Sequence, residues 1–248
     1  MIRKKNGEVE WLEFELLADM PLQHGVFLRH GGVSKGTFGS LNAGGLRGDT
    51  AENIEENRWR IQTVLGLEVI KGCNQVHADH VMLVTDPAQV LPDGDGLMTQ
   101  QRALGLMVLH ADCQGTIFYD PVQHAVSVVH AGWRGNVRNI YAGTVARMGR
   151  EFGSRPEDLL VAISPSLGPD RSEFINYRTE LPESFWRFQF KPTYFDLWAI
   201  SRHQLEEAGV RPEHIQIAAM CTYDRPEDFF SFRRDKTPGN HATIAALK

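Results

Sequence analysis

The chain has 248 residues, 42% hydrophobic and 23% charged, with a formal net charge of −5 at pH 7. That balance is typical of a soluble globular protein with a sizeable core. A pI near 6.1 argues against nucleic acid or an anionic membrane as partner, and the basic runs at 3–5 and 233–236 are too short to change this. Cys73, Cys113 and Cys221 are an odd number at wide spacing, which excludes a disulfide framework. The opening MIRKKNGEVEWLEFELL has no apolar signal core, and no stretch approaches a membrane span. A reducing, cytoplasmic setting is expected, where cysteines serve as thiols, ligands or nucleophiles.

In chain order, EVEWLEFEL (8–16) alternates and reads as a strand. GVFLRHGGVSKGTFGSLNAGGLRGDT (25–50) starts as a strand and becomes a long Gly/Ser/Asn-rich loop, uncommon without a functional role. Asp49 and Glu52 can cap a helix from Thr50 to Leu65 that stops at Gly66. Short strands follow at 68–76, 81–85, 104–110, 115–119 and 124–130. The clearest helix covers 136–152: Val137, Ile140, Tyr141, Thr144, Val145 and Met148 share a face, with Asn136 as N-cap and Gly153 as stop. DLLVAIS (158–164) reads as a buried strand, 194–208 as a helix ending at Gly209, and HIQIAAM (214–220) as a strand. FFSFRRDKTPGNHATIAAL (229–247) reads as two strands around a turn. Strands and helices mix irregularly, so the class is α+β rather than a βαβ alternation.

The most informative stretch is LHADCQGTIFYDPVQHAVSVVHAGWRG (109–135). TIFYDPVQHAVSV (116–128) reads as a hairpin whose turn holds Asp120, Pro121, Val122 and Gln123, with Pro121 fixing φ at the second position. Asp120 then faces Gln123 and Tyr119 faces His124; carried outward, the register sets Cys113 opposite His130. Opposed residues share a face, with Cβ atoms about 4.5–5.5 Å apart. That spacing suits a thiolate and an imidazole on one metal ion, or a Cys–His ion pair. His124 lies roughly 20 Å along the strand from His130, and His110 has the opposite parity to Cys113, so both read as structural or surface residues.

Two ligands are too few for catalytic zinc, which takes three protein ligands and an open position. His77, His80, His24, His30 and His241 are candidates for the third, and spacing does not choose among them. Cys73, four residues before His77, is a rival ligand, and Cys221 reads as a buried thiol. The deaminase pair H-x-E and P-C-x-x-C is absent. So are the H-x-H pairs a copper cluster would use, the P-loop, G-x-G-x-x-G and H-E-x-x-H. HAGWRGN (130–136) brings Gly132, Arg134, Gly135 and a helix N-terminus beside the proposed pair. That is either an anion site for phosphate or carboxylate, or a tight turn with Trp133 as core.

NQVHAD (74–79), ADC (111–113), VHAGWRG (129–135) and FFSFRRD (229–235) resemble, in this order, the motifs of the YfiH/YlmD family, also called laccase-domain or polyphenol oxidase proteins. The segment LRHGGVSKGTFGSLNAG (28–44) and the later ENR (56–58) resemble its opening pattern, so the resemblance spans roughly 25–245. It implies layered sheets flanked by helices, the fold of cytotoxic necrotizing factor toxins and YfiH-like proteins, as one domain over 1–248. It also implies one zinc ion, rather than copper, on His77, Cys113 and His130. The implied activity is phosphorolysis of purine nucleosides (adenosine, inosine, methylthioadenosine) with phosphate as co-substrate, and adenosine deamination beside it.

For such chemistry Cys113, His130 and Arg134 are the expected catalytic residues, and Arg29, Asn42 and Arg234 the expected substrate or anion ligands. Asp112 is a weaker candidate for carrying a proton, because strand alternation turns it away from Cys113. Three departures from the family pattern bear on substrate choice and leave the ligands intact. Gln114–Gly115 stands where a residue and proline are usual, Gly239–Asn240 where Gly-Arg is usual, and DRSEF (170–174) where a cysteine and a Tyr-Glu pair are usual. Two other readings remain: a Cys-based amide hydrolase with Cys113 as nucleophile and His130 as base, the chemistry of a family branch linked to peptidoglycan-precursor editing, and a non-catalytic zinc-binding protein.

Overall fold

A computed structural model describes residues 1–45 and 48–248. Strands β1 (Ile2–Asn6) and β2 (Val9–Glu13) form a hairpin whose turn needs Gly7 at φ 60°. After β3 (Leu22–Phe27) the long loop leads to α1 (Ala51–Leu65). The middle holds β4 (Val69–Lys71), β5 (Val81–Leu83), β6 (Gly96–Thr99), β7 (Leu104–His110), β8 (Gln114–Asp120) and β9 (Ala125–Ala131). Two helices, α2 (Trp133–Val137) and α3 (Ile140–Phe152), precede β10 (Leu160–Ile163). The rest comprises α4 (Tyr177–Glu180), the ribbon β11 (Gln189–Lys191) and β12 (Tyr194–Phe195), α5 (Leu197–Glu207), β13 (Ile215–Ile217), α6 (Phe232–Asp235) and β14 (His241–Leu247).

One sheet runs β1-β2-β3-β14-β7-β4 and the other β13-β10-β8-β9-β6-β5. Their inner faces share a core that includes Leu106, Val108, Ile117, Tyr119, Val126, Val128, Ala245 and Leu247. On the outer face of the second sheet, Phe118 and Val129 pack against Tyr141, Val145 and Met148 of α3 and Leu205 of α5. On the outer face of the first, Met107 and Ile244 meet Ile61 and Leu65 of α1. β8 and β9 are therefore covered on both sides, which is why they read as continuous apolar runs rather than alternating ones. The layered α+β architecture agrees with the sequence. Among the described residues no helix is long and apolar enough to cross a membrane.

Several elements differ from expectation, each for a local reason. The 68–76 strand shrinks to β4, and β6 is an additional strand. Thr50, not Asp49, caps α1, accepting a hydrogen bond from Asn53 N at 3.2 Å. Asp49 instead accepts from Ser34 Oγ (2.6 Å) and Asn42 Nδ2 (2.8 Å), bracing the long loop. The 136–152 helix breaks in two. Asn139 sits at φ 55°, ψ 53°, a left-handed conformation asparagine tolerates, and caps α3 by accepting from Ala142 N. Asn136 is buried inside α2, and Val137 is turned outward. The last segment holds one strand, β14, and the short α6 in place of a second strand.

The β8–β9 register also differs. Asp120 faces Ala125 and Gly115 faces His130, so the loop is 121–124. Asp120 Oδ1 accepts from Val122 N (2.8 Å) and Gln123 N (3.0 Å), and His124 closes the turn at φ 50°. The pairing is displaced by two residues, an even number, so each side chain keeps its face. Asp120→Ala, which removes both turn bonds, is expected to cost about 1–2 kcal/mol. The check is urea unfolding, with a lowered midpoint and an unchanged slope.

Candidate metal centre

Three segments converge at one end of the second sheet: the 72–78 loop after β4, the bend between β7 and β8, and the end of β9. They bring His77, Cys113 and His130 together, with donor atoms all within 4.8 Å of one another. The His77 and His130 rings meet edge to face, centroids 4.9 Å apart. His130 is buried, Cys113 half-buried and His77 exposed, so the cluster opens to solvent on the His77 side.

Asp95, fully buried just before β6, holds two of the three in place. Its carboxylate accepts the N–H groups of Val76 (3.2 Å), His77 (3.0 Å) and Ala78 (2.6 Å). These bonds stabilise His77 in a left-handed conformation, φ 59°. Asp95 Oδ1 also accepts from His130 Nδ1 at 2.8 Å, and the Asp95 carbonyl accepts from His130 N at 2.7 Å. A proton fixed on Nδ1 leaves Nε2 of His130 free as a ligand atom. Burial disfavours the Asp95 carboxylate, but His130 and the backbone donors outweigh it and hold its pKa below the usual range. Sequence reasoning missed Asp95; its only signal is an acid flanked by glycines before an apolar run, in DGDGLM (93–98).

Cys113 follows a sharp bend in which Asp112 takes φ 82°. Asp112 is not on a strand as expected. Its carboxylate accepts from Thr222 Oγ1 (2.6 Å), Ser231 Oγ (3.0 Å) and Arg233 N (2.6 Å), tying the bend to the C-terminal segment. Gly132 lies against the ligands: a Cβ there would come within 3.0 Å of both Cys113 Sγ and His77 Cδ2. Burial raises the Cys113 pKa, but the charge and hydrogen bond of His130, helped by His77, bring it down to about 6. Burial lowers that of His130, but the Cys113 charge and the Asp95 bond raise it to about 9. The two groups stabilise each other as thiolate and imidazolium.

One sulfur and two imidazole nitrogens suit zinc. Bonds of about 2.0–2.3 Å set tetrahedral donors roughly 3.5 Å apart, within small side-chain rotations of the observed cluster. The other candidates lie elsewhere in the fold. His24 accepts from Phe14 N, His30 bonds Asp228, His80 lies by the Asp93 carbonyl, and His241 is bonded to Phe27 O and Phe230 N. His110 is buried against Thr243 Oγ1, and His124 sits by Tyr119. The Cys73 thiol meets the Gly94 carbonyl, and burial pushes its pKa up to about 12. Cys221 accepts from Gly168 N.

Arg134 is exposed and stacks on Trp133, guanidinium carbon 4.4 Å from the ring centre. Arg29 donates to the carbonyls of Gly39 and Pro226, and Arg234 to those of Thr222, Tyr223 and Phe229. Asn42 is buried; its Oδ1 accepts from Gly44 N and Asn240 N, and its Nδ2 donates to Asp49. Behind Cys113, Gln114 Oε1 accepts from Tyr141 OH (2.5 Å) and Ser201 Oγ (2.8 Å), and Gly115 N donates to Ser164 Oγ (2.9 Å). A Cβ at Gly115 would lie 2.4 Å from Thr243 Oγ1.

Residues 23–248 match the family described as multi-copper polyphenol oxidoreductase laccase, and the chain belongs to that family. Over 232 residues it is 35% identical to purine nucleoside phosphorylase YlmD of Geobacillus stearothermophilus, covering 86% of this chain and 85% of that one. The solved YlmD structure aligns with a TM-score of 0.87 over 100% of this chain and 99% of that chain, at 31% identity. A purine nucleoside phosphorylase of Bacteroides thetaiotaomicron is 30% identical over 233 residues, 86% of each chain. The structure of Bacillus licheniformis YfiH gives a TM-score of 0.89 at 26% identity, covering 99% of both chains.

Asp95→Asn puts an amide N–H where four donors now converge, and it should weaken metal binding about 10- to 100-fold, read by competition with a chelating dye. Between about pH 6 and about pH 9 the metal-free pair holds one proton, on His130. Metal binding must expel it, so affinity should rise about tenfold per pH unit across that window and more steeply below it. Calorimetry in buffers of different ionisation enthalpy counts the proton released.

Proposed function

We propose that the protein is a zinc-dependent purine nucleoside phosphorylase. The carrying observation is the His77–Cys113–His130 donor set, locked by Asp95 and open on one side, in a chain whose relatives bear that enzyme name. Three protein donors and an open side suit a catalytic rather than a structural zinc. Zinc is favoured over copper because the sequence has no H-x-H pair for a multi-copper cluster. Bound by His77, Cys113 and His130, zinc would supply Lewis acidity at the open side of the cluster.

The chain's own residues supply the rest. Asp95 keeps the His130 ring in one tautomer and the His77 backbone in one conformation. Gly132 keeps the ligand pocket free of a Cβ. Arg134, exposed next to the end of β9, supplies a charge for phosphate or the departing base. Arg29, Asn42 and Arg234 are the substrate or anion ligands in this reading; Arg29 has donors left over beyond its bonds to Gly39 and Pro226, while those of Arg234 and Asn42 are largely engaged by the protein. Adenosine, inosine and methylthioadenosine are the substrates in this reading, adenosine deamination is a second activity, and residues 1–248 act as one unit in the cytoplasm.

A second reading rests on the Cys113–His130 ion pair. In metal-free protein a thiolate beside an imidazolium is an activated nucleophile, as an amide hydrolase would need. The test incubates zinc-loaded protein with adenosine or inosine, with and without phosphate, and follows free base and ribose 1-phosphate. Phosphate-dependent release, abolished in Cys113→Ser, is expected. Absence of release from the intact protein overturns the phosphorylase reading. Thiol labelling of Cys113 with amide turnover would then support the hydrolase, and tight metal binding without turnover a zinc-binding protein.

A further inference from the structure

A second feature of the molecule lies apart from the metal ligands. Between α1, the 72–75 loop and the 88–91 segment runs a cleft of about 390 Å³ floored by Met107 and Leu109 of β7. Small-molecule sites are typically about 300–1,000 Å³. Among the described residues its charged lining residues are Arg58 and Lys71, both cationic, with no aspartate or glutamate.

Neither cation has an acidic partner among the described residues. Arg58 donates its Nε–H to Ala43 O (2.7 Å), and neither Nη has a partner among the described residues. Its neighbour Arg60 is different, paired with Glu56 and bonded to Gly31 O. Lys71 donates to Pro87 O (2.9 Å) and makes no ion pair among the described residues. Arg58 reaches solvent through the cleft, yet its neighbours crowd it, and that burial alone lowers its pKa. Two cations on one cleft give it a positive field that favours an anion. A guanidinium fork with both Nη groups free among the described residues can take two oxygens of an oxyanion, and an ammonium on the same cleft adds a second point of positive charge.

The other wall is apolar. Leu91, Met107 and Leu109 line it, and Val90 stands 93% exposed beside it. Asn74 and Gln75 contribute side-chain amides. Gln75 fixes the wall by bonding Leu109 twice, donating to its carbonyl and accepting from its N–H, each at 2.7 Å. None of the lining residues is a member of the metal cluster, although Gln75 lies two residues from His77 on the same loop.

We propose that this cleft is a second small-molecule site, one that takes a phosphate group on Arg58 and Lys71 with room for a compact organic body against Met107 and Leu109. The phosphate is either free inorganic phosphate or that of a phosphorylated nucleoside. The site stands independently of the phosphorylase reading. The test titrates zinc-loaded protein with inorganic phosphate and, separately, with adenosine 5′-monophosphate, by calorimetry.

Saturable binding is expected, with a component that belongs to the cleft and is separate from any phosphate held at the metal centre. Arg58→Gln and Lys71→Met should each weaken the cleft component at least tenfold, and Arg58→Lys should fall between. Cys113→Ser, lacking a metal ligand, should keep the cleft component. Lys71 lies on the short edge strand β4, so its variant tests the site even where Arg58→Gln perturbs α1. Tighter binding of the nucleotide identifies an organic phosphate as occupant, and equal binding identifies inorganic phosphate. Absence of binding, binding indifferent to both cleft variants, or binding lost only in Cys113→Ser would each overturn the proposal. The last result would move phosphate to the metal centre and leave the phosphorylase reading standing.

Discussion

The metal centre depends on one buried carboxylate. Asp95 accepts three backbone N–H groups from the His77 loop and the Nδ1–H of His130. A buried, unpaired carboxylate would be strongly disfavoured; here four donors compensate it. Those donors come from two segments far apart in sequence, so the loop after β4 can dock on β9 only by satisfying Asp95. The same contacts set the His130 tautomer. The position of His77, the direction of the His130 ring and the charge balance of the pair with Cys113 thus follow from a single residue.

Much of this was legible in the sequence. β7 has the bounds its apolar run indicates, and the encounter of Cys113 with His130 follows from parity along a hairpin. That inference survives a wrong register because the error is two residues: Gly115, not Cys113, faces His130, but a displacement of two preserves the face. A displacement of one would have sent Cys113 to the opposite side. The error arose at the turn, where the Asp120 side chain and a left-handed His124 replace a simple Pro-led turn. Asp95 was not legible, because three of its four carboxylate donors are backbone groups, which carry no residue signature, and the fourth, His130, lies far along the chain.

The arginines show the same limit. Arg29 and Arg234 look like anion ligands in a sequence with a helix N-terminus and glycines nearby. In the fold, Arg29 donates to two loop carbonyls and Arg234 to three. A long loop has many orphan carbonyls and few strands to satisfy them, and a guanidinium can bind several at once. Arg58, which drew attention only as part of ENR, keeps both Nη groups free of protein partners among the described residues. Residue type identifies a possible donor; only the fold shows which donors are already used.

The departures from the family pattern can be weighed in the same way. A proline at position 115 would lose the N–H that donates to Ser164 Oγ, and its Cβ would run into Thr243. Gln114 engages Tyr141 and Ser201, which belong to α3 and α5. Asn240 donates to Gly44 O and, through its own N–H, to Asn42. Gln114, Gly115 and Asn240 are therefore each absorbed by partners within the fold. The bonds of Gln114 and Gly115 fix the backbone next to Cys113, so these two residues act on the orientation of the thiolate before they act on any bound substrate.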